Sequence, residues 1–128
     1  MPQHLQSLTY NTFLCCDNLN YISCSNELTS IYDHVIVNCP NITDIIIPKS
    51  VKEINPYAFS LANNLTNIII QNDEDIISSL AYLSIPNSQT RIKISYKIYD
   101  DYIKMFNTLS NEINVNHKYY FDKIAFNN

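Results

Sequence analysis

The chain has 128 residues, no glycine, no tryptophan and four cysteines, and its eight basic and twelve acidic side chains leave a net charge of −4. That length holds one domain with a modest core, and a hydrophobic share of 46% is too apolar for disorder. No run of about 18 apolar residues is present, which excludes a helical membrane span, and the acidic balance argues against a general nucleic-acid or anionic-membrane binder.

The first twenty residues lack a basic start followed by an apolar run, so no secretory leader is expected. A cytoplasmic location, or one within a macromolecular particle, is therefore favoured over secretion. Read onward in rows of 23, the chain aligns with itself. Leu5, Leu28 and Val51 share a column, as do Leu8, Ile31, Ile54 and Ile77, and then Phe13, Ile36, Phe59 and Tyr82. Asn18, Asn41 and Asn64 open a second block. Behind them come Leu19, Ile42 and Leu65, then Ile22, Ile45 and Ile68, then Cys24, Ile47 and Ile70.

Such a period marks a repeat array, whose units cannot bury an apolar face alone and do so by stacking. Ile45 and Ile47 are expected to point inward and Ile46 outward, the alternation of a strand with one buried face. Equivalent strands one coil apart then pair in parallel at ~4.8 Å. The expected architecture is a β-rich solenoid with a short parallel strand ladder of three 23-residue coils. Pro48 lacks a backbone donor and should end the strand at Ile47. With glycine absent, turns that need a positive φ fall to Asn or Asp, and Asn55 is the expected place for one. The Tyr57-Ala58-Phe59 turn is expected to send the Phe59 ring into the core.

The segment Ile42-Thr43-Asp44-Ile45-Ile46-Ile47-Pro48-Lys49-Ser50-Val51-Lys52-Glu53-Ile54-Asn55-Pro56-Tyr57-Ala58-Phe59 resembles the LTSITIPxSVxxIGxxAF unit of BspA-like leucine-rich repeats. The rows on either side match more loosely, with Cys24-Ser25 in place of Ile-Pro and Gln71-Asn72-Asp73-Glu74-Asp75 in place of Pro-x-Ser-Val. Tyr32, Asn55 and Ser78 stand where the unit has glycine. The resemblance covers about residues 5–82. It implies a single leucine-rich-repeat domain over 1–128, with residues 83–128 as a capping region, and a binding role without a specified partner.

Beyond the rows, Arg91-Ile92-Lys93-Ile94-Ser95 alternates and can add a last strand one residue out of register, since Ile92 follows Ile68 by 24. Tyr99, Tyr102, Ile103 and Phe106 recur at helical spacing and predict an amphipathic helix able to lie over the open end of the stack. Asp100-Asp101 are expected in its first turn, where the helix dipole favours them. Residues 107–128 are expected to finish in a strand or turn packed by aromatics. At the other end, Leu5, Leu8 and Phe13 already occupy repeat columns, so the first coil has no cap. That uncovered row is expected to dock on a protein partner or on a second copy of the chain.

Candidate chemistry is sparse. His4, His34 and His117 lie in unrelated contexts, no nucleophile elbow, zinc-protease motif or Gly-rich phosphate loop is present, and no enzymatic activity or cofactor is expected. The cysteines form no C-x-x-C pair, so a zinc site is not expected. Cys16 and Cys39 share a column and could be bridged, although small buried free thiols are the preferred reading. Asn41-Ile42-Thr43 and Asn64-Leu65-Thr66 fit the glycosylation acceptor pattern but read first as stacked amides satisfying neighbouring coils. The acidic run Asp73-Glu74-Asp75 could ligate Ca²⁺ and reads first as a solvated loop.

What remains is binding. The outward ladder positions Tyr21, Ser23, Asp44, Ile46, Asn67, Ile69, Arg91 and Lys93 should line one face. Exposed Ile46 and Ile69 beside each other would suit a contact patch, unless the C-terminal tail covers them. The expected function is a non-catalytic protein-interaction module, an adaptor or structural subunit of a larger assembly such as a phage tail or injection particle. The alternative is a surface or effector-type recognition protein, or a fragment of one, that binds a host or cell-surface ligand.

Overall fold

Short strands recur at matching points of successive coils because apolar residues, many of them isoleucine, fall at the same places in each row. The computed structural model describes residues 5–72, 83–84, 86–87, 89–108 and 121–124. The first coil carries β1 (Ser7–Leu8), β2 (Phe13–Leu14) and β3 (Tyr21–Ser23). The second carries β4 (Ser30–Ile31), β5 (Ile36–Val37) and β6 (Asp44–Ile47). The third carries β7 (Glu53–Ile54) and β8 (Asn67–Ile70). β9 (Arg91–Ser95), the helix α1 (Tyr96–Thr108) and β10 (Phe121–Ile124) follow.

Among the described residues every strand pair is parallel, and the strands form three ladders in the orders β1-β4-β7, β2-β5 and β10-β9-β8-β6-β3. Like meets like throughout. Leu8 lies opposite Ile31, which lies opposite Ile54. Ile22, Ile45, Ile68 and Ile92 form one unbroken row, the last step taking 24 residues as the alternation of 91–95 requires. Leu8, Leu28, Ile31, Val51, Ile54, Phe59, Ile45, Ile47, Ile68, Ile70 and Ile92 are all buried. Each such side chain contributes ~1.5–3 kcal/mol against leaving it in water. β6 stops at Ile47, where buried Pro48 has no donor to offer. Ile77 and Tyr82, expected in the same columns, lie outside the described residues.

The coils are also tied by side chains. Asn41 Nδ2 donates to Asp17 O at 2.5 Å, Asn64 Nδ2 to Pro40 O at 2.6 Å and Asn87 Nδ2 to Asn63 O at 2.7 Å. Asn87 extends the asparagine column by one more step of 23. Thr29, Thr43 and Thr66 hydroxyls donate to the carbonyls of Gln6, Asn20 and Thr43 in the preceding coil. Buried Asn72 donates to both Lys49 O and Val51 O. Both acceptor-pattern asparagines are thus engaged in coil-to-coil bonds, as the stacked-amide reading expects.

The positive-φ turns fall elsewhere than expected. Asn11 (61°), His34 (48°), Cys15 (55°) and Asn38 (55°) adopt this conformation, in two columns of two residues each, and Asn55 does not. Asn55 instead accepts the Tyr57 N–H on its Oδ1 at 2.9 Å, a side-chain turn that leaves its own φ negative. In the third coil the equivalent columns hold Tyr57 and Leu61, residues with no tolerance for the left-handed region. Successive turns replace the strand there, with Ser60 N donating to Tyr57 O and Ala62 N to Phe59 O, and the β2-β5 ladder ends after two strands. Phe59 is nevertheless fully buried.

At the C-terminal end, α1 connects β9 to β10, and β10 pairs with β9 as the last strand of the ladder. The ladder edge expected to lie under the helix is therefore covered by a strand. Ser95 caps α1, its Oγ accepting the Lys97 N–H at 3.2 Å. The helix begins at Tyr96 and has no acidic residue in its first turn, so Asp100 and Asp101 sit further along, exposed, beyond the terminal amides they were expected to face. Ile98 is buried and Tyr99 packs against the core, whereas the side chains of Tyr102, Ile103 and Phe106 lie outside the described set.

Candidate functional site

Period-2 alternation puts every second residue of the five-stranded ladder outward, and the register sorts these into two rows. Tyr21 is opposite Asp44, Asp44 opposite Asn67 and Asn67 opposite Arg91. Beside them run Ser23, Ile46, Ile69 and Lys93. The eight residues read from the sequence as one face are brought together.

Their exposure is graded. Tyr21 is 57% exposed and Ser23 is exposed, while Asp44, Ile46, Asn67, Ile69, Arg91 and Lys93 are half-buried. Ile46 and Ile69 are therefore not the fully exposed pair expected, because flanking side chains on the same sheet face shade each of them. The first row is partly ordered from within, since Asn67 Nδ2 donates to Asp44 Oδ1 at 2.6 Å. The surface mixes a phenol, a carboxylate–amide pair, two aliphatic groups and two cations. Such a mixture suits a protein surface better than it suits proton transfer on a small substrate.

Among the described residues, β3 is the terminal strand of its ladder, as β1 and β2 are of theirs. A cavity of about 180 Å³ opens here, lined by Leu5, Phe13, Leu19, Tyr21 and Ile22 among others. Leu8, expected in the uncovered row, is fully buried in the core, while Leu5 and Phe13 are half-buried against it. Of the three residues expected to dock, Leu5 and Phe13 thus line the cavity with Leu19 and Tyr21, and Leu8 does not.

Two features were not anticipated. Tyr10, Tyr32 and Tyr57 are each about half exposed or more, between the first and second ladders, where Tyr10 meets His34 edge-on at 5.8 Å. They are spaced 22 and then 25 residues apart, so a strict 23-residue alignment does not collect them. A second cavity, of about 460 Å³, is bordered by Cys15, Asn38, Cys39 and Asn64 among others.

All four cysteines are free thiols, but only Cys39 is buried; Cys16 and Cys24 are half-buried and Cys15 is exposed at its positive-φ corner. Burial pushes the Cys24 thiol up to about 11. Burial and the adjacent Cys39 likewise raise the Cys16 thiol above its ordinary value. Among the described residues no group of three or more His, Cys, Asp or Glu is placed to hold a metal, and no helix is long and apolar enough to cross a membrane. His4, His117 and the acidic run Asp73-Glu74-Asp75 lie outside the described residues.

Comparison with known proteins agrees with this geometry. The family model described as a BspA type leucine rich repeat region (6 copies) matches residues 1–128, which includes the part of the chain after the three clear rows. No curated protein and no solved structure shows significant similarity to the chain.

Proposed function

The chain belongs to the BspA-type leucine-rich repeat family, and on that premise we propose that it is a non-catalytic protein-interaction module whose ladder face is the contact surface. Repeats of this kind suggest protein partners, and the role we infer is that of an adaptor or structural subunit of a larger assembly. The observation that carries the reading is the paired row Ser23-Ile46-Ile69-Lys93, in which two aliphatic side chains stand opposite each other on the outer side of a sheet whose core is already complete on the inner side. A ladder meant only for water has little use for apolar groups there.

The test is capture from the native source with the wild-type chain, a Tyr21→Ala/Asn67→Ala variant of the face and a Tyr32→Ala variant away from it. Partners kept by Tyr32→Ala and lost by the face variant support the reading. Partners kept by both remove the face from it. Recovery within a multi-protein particle, such as a phage tail or injection particle, favours the subunit role. Recovery on a cell surface or in secreted medium favours the alternative of a recognition protein.

A second contact at the N-terminal end is favoured by the cavity at Leu5, Phe13 and Leu19 beside β3, the terminal strand of its ladder among the described residues. A protein partner or a second copy of the chain would seat there. Light scattering over a wide concentration range checks the second copy, and a monomer throughout rules it out.

A further inference from the structure

Cys16 and Cys39 occupy one position in successive coils, just past the paired strands β2 and β5. The Cys16 N–H donates to Cys39 Sγ at 3.2 Å. Each thiol also points at the carbonyl two residues before it, Cys16 toward Leu14 O at 3.7 Å and Cys39 toward Val37 O at 3.4 Å. The same local geometry in stacked coils sets the two side chains next to each other, with the Cys16 backbone N–H held against the Cys39 sulfur. Parallel neighbours hold equivalent Cα atoms ~4.8 Å apart, inside the ~4.4–6.8 Å that a disulfide spans. Access exists too, because Cys39 borders the 460 Å³ cavity together with exposed Cys15.

We propose that Cys16 and Cys39 form a reversible modification site, a dithiol that a low-molecular-weight disulfide closes into a cross-link between the first and second coils. One cysteine thiolate attacks a sulfur of the oxidant RSSR and expels RS⁻, giving a mixed disulfide. The other thiolate attacks the protein sulfur of that bond and expels the second RS⁻. Two protein thiols are oxidised, one RSSR is reduced to two RSH, and the two protein protons end on the leaving thiols. Closing the bond takes the Cys39 proton away from Phe13 O, which it meets at 3.0 Å, so a hydrogen bond is exchanged for the covalent link.

The first coil carries both Tyr21 of the ladder face and the N-terminal cavity. A bond to the second coil therefore restrains the coil on which these groups sit. Oxidation by this route couples the redox state of the surroundings to the order of the docking end.

The experiment treats the full chain with glutathione disulfide and digests it, unreduced, on the amino side of aspartate. Cleavage before Asp17, Asp33 and Asp44 places Cys15 and Cys16 in residues 1–16, Cys24 in 17–32 and Cys39 in 33–43. The expected product joins 1–16 to 33–43 in the wild type and in Cys15→Ser, where only Cys16 can supply the sulfur. Its formation raises the thermal midpoint, and dithiothreitol reverses both changes. A stable glutathione adduct without the joined peptides, a link that Cys15→Ser abolishes, or no product at all would overturn the proposal. Cys15 is exposed, so its replacement does not threaten the fold on which this arm depends.

Discussion

Asn64 reaches back one coil to give its side-chain amide to the carbonyl of Pro40 at 2.6 Å. Asn41 does the same to Asp17, and Asn87 to Asn63. These carbonyls sit where the chain turns into the long ladder, and the amide column supplies each with a donor from the coil that follows.

Replacing Asn64 by Ala should destabilise the array by about 0.5–1.5 kcal/mol, the usual net contribution of a hydrogen bond whose partners are both exposed. Asn64→Asp should cost at least as much, because a carboxylate offers no proton to Pro40 O. Urea unfolding of both variants measures the effect, and a loss below the noise would show that water satisfies this carbonyl.

Ile45 and Ile46 are adjacent and opposite in role. Ile45→Ala should cost about 2–5 kcal/mol, as for a fully buried aliphatic side chain. Ile46→Ser together with Ile69→Ser should cost far less per residue and weaken partner capture. Unfolding curves and capture on the same samples decide it; equal destabilisation at both sites would place Ile46 and Ile69 in the core.

The left-handed corners invite glycine. Cys15→Gly should leave stability unchanged or raise it by up to about 1 kcal/mol, since relief of the positive-φ penalty offsets the added chain entropy. Asn38→Val should lower it by more than about 1 kcal/mol at the equivalent corner of the next coil. Thermal midpoints in parallel provide the comparison.

Cys24 makes stability depend on alkaline pH. Its thiol is raised from 9.0 to about 11 in the folded chain, chiefly by burial, so the fold holds this proton more tightly than the unfolded chain does. The resulting stability is complete below pH 9.0 and is lost as pH rises through about 11. Subtracting the pH profile of Cys24→Ala from that of the wild type isolates the effect from other alkaline titrations. A flat difference across this window would contradict it.

The ladder was legible because one physical rule generates it: equal coil lengths bring equivalent residues face to face. Ile22, Ile45 and Ile68 needed only subtraction, and the longer step to Ile92 was visible from the alternation of 91–95. The outward rows followed from the same register. The corners were harder. Asn55 looked like the residue that takes a positive φ, yet His34 and Cys15 hold that conformation, because the corner's place in the coil decides it before residue preference does. The half-burial of Ile46 and the complete burial of Leu8 depend on neighbours from several coils at once, which no single row reveals. Asn87 could have been found by one more step of 23 from Asn64. The Ser95 cap was hidden because strand and helix share that residue.

Between Ile69 and Arg91 the spacing lengthens from 23 to 24, yet Ile68 still meets Ile92 and Asn67 still meets Arg91. Asn87 still follows Asn64 by 23, so the surplus residue falls between Asn87 and Arg91, where buried Thr90 donates its hydroxyl to Leu65 O at 2.6 Å. The extra position is thus anchored to the coil before it, and the strands on either side keep their alignment. A coil one residue longer can be spliced into such an array, provided the addition falls just ahead of the strand and brings a side chain that bonds backward.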